Sequence, residues 1–123
     1  MRSVLAAAAL VLLPAGAAAG AGDATRGEQL YARCAACHAL TYDRVGPRHC
    51  DLIGRRAGSV PGFAYSAAMK KSGIAWTAST LDRFLADPPH AVPGTTMTYA
   101  GVPDAHDRAD LIAYLAAARC KRR

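Results

Sequence analysis

The chain has 123 residues, with 15 Lys and Arg against nine Asp and Glu for a formal charge of +6. That length makes one small domain, whose high surface-to-volume ratio limits the core that side chains alone can build. The positive charge lacks aromatic interleaving and has no concentrated run except Lys121, Arg122 and Arg123, which argues against nucleic acid and for an acidic protein partner or membrane surface.

In chain order, Arg2, an apolar run from Val4 to Leu13 and small residues from Ala15 to Ala21 predict a secretory signal peptide over residues 1–21, cleaved after Ala19 or Ala21. The run is short for a bilayer and is interrupted by Pro14 and Gly16. Loss of Arg2 with the leader leaves fourteen basic and nine acidic residues, a charge of +5, on a single domain spanning 22–123. Asp23 predicts the cap of a first helix over 24–34, with Gly27, Leu30, Tyr31 and Cys34 on one face.

From Leu40 to Pro61 the breakers Gly46, Pro47, Gly54, Gly58 and Pro61 allow no helical period. A loop this long belongs in a compact domain only if it wraps something or performs a function. Ser66 predicts a short helix to Lys71, and Thr77 one over 78–86 that stops before Asp87, Pro88 and Pro89. A second loop carries Pro93, Gly94 and Met97 to Pro103. Asp104, with Asp107 three residues on, opens a last helix striped by Leu111, Tyr114, Leu115 and Ala118. With no strand-like alternation, the expectation is an all-α fold of about four to five helices and long loops.

The chemistry centres on the CAACH segment, Cys34 to His38. Two cysteines separated by two residues can both form thioethers to the vinyl groups on one edge of a haem, and the adjacent histidine then supplies an axial ligand. A redox disulfide would call for a βαβ pattern, and a zinc site for a second ligand pair close in sequence; neither is visible. One covalent haem c would give the long loops an object to wrap and would supply much of a small core. For the opposite axial position the candidates are Met69, Met97, His49, His90 and His106. Met97, within PGTTMTYAG, is the strongest because a loop can aim a thioether inward without committing it to a helix face. A His/Met pair would leave no open coordination position and favour electron transfer over oxygen chemistry.

CAACH near the front, GP at 46–47, GRRAGSVPGFAYSAAMKKSGIAW, and PGTTMTYAG before a terminal helix together resemble the class I cytochrome c family, in its mitochondrial-like branch. The resemblance implies a small cytochrome c fold, with Pro47 accepting the His38 Nδ1 proton and with Arg55, Tyr65 and Trp76 near the haem propionates. It further implies a packed crossing of the first and last helices through Gly27, Tyr31, Leu111 and Tyr114. The implied function is one-electron shuttling between respiratory-type redox partners, not an enzymatic reaction, and without a small-molecule substrate. The alternatives are a small peroxidase-like haem enzyme and a haem subunit of a dehydrogenase or oxidase complex.

A periplasmic monomer is expected, docking redox proteins or a membrane complex through a basic haem-edge face of Arg44, Arg48, Lys70, Lys71 and the rim near Thr98 and Tyr99. After GP the family usually has an apolar residue and then a glycine; here Arg48, His49, Cys50 and Asp51 follow. His49 could therefore sit near the haem, although a lone loop histidine is ordinarily a polar or surface residue and is not read as a ligand. Cys50 and Cys120 are expected to form a disulfide, because spare thiols in an oxidising compartment are otherwise a liability.

Overall fold

The computed structural model describes residues 22–122; the leader and its two candidate cleavage positions lie outside them. Five helices occur among the described residues, α1 (Ala24–Tyr31), α2 (Ala67–Lys71), α3 (Ala78–Ala86), α4 (Pro88–Ala91) and α5 (Ala105–Ala117). No helix among them is long and apolar enough to cross a membrane.

Side-chain caps set the helix starts. Asp23 accepts from the amides of Thr25 and Arg26, Ser66 from Met69, and Asp104 from Asp107, satisfying donors that the first helical turn leaves unpaired. Thr77 and Thr80 reciprocate in a capping box at α3.

Two boundaries differ from expectation. α1 ends at Tyr31 rather than Cys34, because the following amides of Ala32, Arg33 and Cys34 bond three residues back, to Gln29, Leu30 and Tyr31, tightening the chain into successive turns. The segment after Ala86 is not simply a loop: Asp87 ends α3 and caps α4, whose first two positions are Pro88 and Pro89. Proline blocks a helix interior but suits a first turn, where its missing N–H would be unpaired anyway.

α1 crosses α5 closely, and this is the most extensive helix packing among the described residues. Gly27 makes it possible. A Cβ there would strike the Asp110 carbonyl oxygen and approach the Tyr114 Cβ to 2.8 Å. Beside it Tyr31 and Tyr114 pack with ring centroids 5.4 Å apart. At the rim Arg26 reaches Asp107 and Asp110 at 2.5 Å each, while the Asp23 amide donates to Asp110 at 2.7 Å. That amide and the guanidinium together hold the Asp110 carboxyl below its usual range.

Gly27→Ala is expected to cost about 3 kcal/mol, since an added methyl would meet backbone that cannot yield and alanine's ~1 kcal/mol helix preference does not offset this. Thermal unfolding would show a midpoint lower by roughly 10–20 °C. An unchanged midpoint would mean that the crossing has room.

The two long loops close over the remaining core. In the first, the Gly54 amide donates to the Trp76 carbonyl, the Trp76 amide to the Arg55 carbonyl and the Ala57 amide to the Ile74 carbonyl, forming one isolated antiparallel bridge between Arg56 and Ala75. In the second, Val92 and Val102 are buried on either side of Met97, and the Val102 amide donates to Leu85. Cys50 and Cys120 are bonded, with Cα atoms 4.9 Å apart. Next to that bond the Asp51 amide donates to the Ala118 carbonyl, and the Cys120 amide donates to the Asp51 carboxylate. Asp51 adopts φ 53°, the only positive φ outside glycine among the described residues.

Candidate functional site

A cavity of about 550 Å³ opens between the two loops and the helices. Its walls are mostly apolar, from Leu52, Trp76, Leu81, Phe84, Leu111 and Leu115. A small domain leaves such a volume unfilled by side chains only if something else fills it, because protein interiors otherwise pack like organic crystals. The space is too apolar to be stabilised by water.

The turns after α1 place CAACH at the rim. The His38 amide bonds the Cys34 carbonyl at 2.9 Å and the Gly46 amide bonds the Cys37 carbonyl at 2.7 Å, so the segment is fixed against the first loop. Cys34 is half-buried and Cys37 exposed, and neither is bonded to another cysteine. Burial pushes the Cys34 thiol pKa up.

His38 is buried. Its Nδ1 lies 2.8 Å from the Pro47 carbonyl oxygen, and since a carbonyl can only accept, Nδ1 carries the proton and the lone pair resides on Nε2. Burial disfavours the charged imidazolium and lowers the His38 pKa. The ring is therefore held as a neutral donor, the state a metal requires. Gly46 is also constrained: a Cβ there would land on the His38 ring.

Met97 and Met69 both line the cavity and both pack partly buried against the core. Met97 sits in the loop between the Val92 and Val102 anchors, its amide donating to the Thr95 hydroxyl at 3.2 Å. Met69 belongs to α2. His90 and His106 are exposed and line no part of this cavity.

Three further residues border the same space. Arg55 donates to the carbonyls of Arg48 at 2.8 Å and Cys50 at 3.2 Å. The Tyr65 oxygen accepts the Val60 amide at 3.1 Å, which leaves its own hydroxyl proton for another acceptor. Trp76 packs on Phe84 with centroids 5.1 Å apart, and its indole N–H has no hydrogen-bond partner among the described residues. Cys50 and Cys120 stand away from the cavity lining.

His49 lines the same cavity: its ring stacks on His38 with centroids 4.0 Å apart and planes 23° apart, and its Nδ1 lies 3.1 Å from the Tyr31 hydroxyl. Burial, then the neighbouring His38 and Arg55, push its pKa down to about 3. The departure at position 49 was visible in the sequence, but no spacing rule brings a loop histidine onto an imidazole eleven residues earlier.

Of the cations expected on the docking face, Arg48 pairs with Asp43 at 3.2 Å, whereas Arg44, which donates to the Ala35 carbonyl, and Lys70 and Lys71 are exposed and have no carboxylate within salt-bridge distance among the described residues.

The arrangement defines a small helical protein built around a flat apolar prosthetic group, with attachment thiols at its rim and a neutral imidazole inside. The residues fit haem: the volume is apolar, the histidine Nε2 is available, and Gly46 yields the space against the ring. The family model for cytochrome c matches residues 24–119. The chain is 46% identical over 99 residues to cytochrome c2 of Rhodomicrobium vannielii, covering 78% of this chain and 79% of the relative. It is 44% identical over 108 residues to cytochrome c2 of Blastochloris viridis, covering 85% of each. Among solved structures, cytochrome cH from Methylobacterium extorquens superposes with a TM-score of 0.75 at 44% identity, covering 76% of this chain and 97% of that one. The chain belongs to the class I cytochrome c family. It is an electron carrier with covalently bound haem c.

Proposed function

We propose that Cys34 and Cys37 form the thioethers, that His38 and Met97 are the axial ligands, and that the protein shuttles single electrons between redox proteins of a respiratory type without acting as an enzyme. The observation that carries this is the convergence of CAACH, the Pro47-oriented His38 and the loop-borne Met97 on one apolar cavity. When bound, haem supplies a one-electron couple at its iron. The chain's own residues would keep that couple closed: Pro47 fixes the His38 tautomer, the Met97 loop would supply the second ligand, and the apolar walls would exclude water.

Propionates entering this space would meet donors at Tyr65 and Trp76, with the Arg55 guanidinium offsetting their charge, so that no carboxylate is left unpaired. Lys70 and Lys71 give a basic rim able to steer an acidic partner at a salt-dependent rate. The leader residues support export to the periplasm, where the chain acts as a monomer docking redox proteins or a membrane complex.

The test is carbon monoxide added to the reduced holoprotein in its native fold. A carrier with both axial positions filled resists it. Rapid binding without loss of structure would favour a haem enzyme and defeat the closed-site reading.

A further inference from the structure

The hydrogen bond from Nδ1 to Pro47 holds one edge of the His38 ring, and a second restraint on rotation about the Cβ–Cγ bond can come only from its faces. A flat group against its face restrains that rotation directly. His49 is such a group, stacked 4.0 Å from His38 at an interplanar angle of 23°.

His49 is itself held from several sides. Its amide donates to the Ala39 carbonyl at 3.1 Å, and the next amide, of Cys50, donates to Leu40 at 2.7 Å. The Arg55 guanidinium grips the carbonyls of Arg48 and Cys50, the residues on either side of it. Cys50 is bonded to Cys120. The side chain is fixed by the Tyr31 hydroxyl at 3.1 Å and by the Tyr31 ring edge-on at 5.8 Å. Tyr31 in turn packs on Tyr114 in the crossing of α1 and α5. A continuous line of rings thus runs from the helix crossing to the ligand: Tyr114, Tyr31, His49, His38.

We propose that His49 is a positioning residue for His38, fixing the orientation of the ligand imidazole plane through face-to-face contact and itself locked by the Tyr31 hydroxyl. This rests on His38 being an axial ligand. The orientation of an axial imidazole governs how unpaired spin spreads over a ferric haem, so it is read in the pattern of haem-methyl proton shifts. The stability of the fold alone does not set that pattern.

The experiment compares ferric holoprotein of wild type, His49→Leu, His49→Phe and Tyr31→Phe by proton NMR, with midpoint potentials and thermal melts recorded alongside. His49→Leu, which removes the flat face, is expected to alter the methyl-shift pattern and move the potential. His49→Phe restores a ring and should return the pattern toward wild type. Tyr31→Phe removes a single oxygen and should change the pattern in the same sense as His49→Leu by a smaller amount. It also decides the question should His49→Leu fail to hold haem.

Wild-type shifts in all three variants would overturn the proposal, whatever their melting temperatures. So would equal displacement in His49→Leu and His49→Phe, which would show that the face is irrelevant. Failure of the underlying ligand reading is distinguishable, because the wild-type spectrum itself would then lack strongly shifted His38 ring protons.

Discussion

Met97→Ala is expected to leave a folded, haem-bearing protein whose reduction potential falls by on the order of 0.1 V or more, within the ~0.8 V that axial ligation commands. A thioether is neutral, soft and weakly basic, so it favours the reduced iron. Alanine leaves that coordination position to water or to nothing. The fold should tolerate the change because the loop is anchored at Val92 and Val102, 3% and 2% exposed, and attachment at CAACH does not involve it.

The same variant should bind carbon monoxide readily when reduced. Met69→Ala is the control: its side chain also lines the cavity, yet it sits on α2, and its loss is expected to leave the potential nearly in place. A redox titration of the two variants separates them. An unchanged potential in Met97→Ala, or a large fall in Met69→Ala, would reassign the ligand.

The second large effect concerns Cys50 and Cys120, whose 70-residue separation means that opening the bridge frees a long loop in the unfolded chain. The chain-entropy relation puts the loss at about 4 kcal/mol, large beside the 5–15 kcal/mol of a typical domain. The double variant Cys50→Ala/Cys120→Ala should therefore unfold at much lower denaturant concentration. Wild type treated with a thiol reductant should match it, because thioethers resist reductants that open disulfides, and the haem would stay attached. Denaturant melts with and without reductant check this. Coincident curves would show that the bridge contributes nothing, and two alkylatable thiols in unreduced holoprotein would show that it is absent.

Much of the fold was legible because it is locally encoded. Asp23, Ser66, Thr77 and Asp104 announce helix starts through a side-chain acceptor followed by a helical run, and all four cap helices in the structure. The end of α1 was less legible, since nothing in LYARCAACH marks where four-residue bonding gives way to three. α4 was missed because the prolines that end one helix also begin the next.

Of the residues named for the site from the sequence, Cys34, Cys37, His38, Pro47, Arg55, Tyr65, Trp76 and Met97 all line the one cavity. The geometry around His49 could not be read. Its neighbours Tyr31, His38 and Arg55 come from three different segments, and only the tertiary fold brings them together. The pairing of Arg48 with Asp43 was equally hidden, because a net charge does not say which cations are already neutralised.

The bond between Cys50 and Cys120 also bears on the order in which the molecule is made. Four cysteines permit six single disulfides, and only one of them, Cys50–Cys120, leaves the CAACH pair reduced. Cys34 and Cys37 are three residues apart, so a bond between them closes a very short ring and needs no fold. Cys50, 1% exposed, meets Cys120 only once α5 has docked and residues 118–120 have been brought to Asp51. The oxidation that completes the fold is therefore late and long-range, whereas the one that would block haem attachment is early and local. Under the proposed export and attachment at Cys34 and Cys37, maturation becomes a race at CAACH, to be won before the rest of the chain closes into its covalent ring.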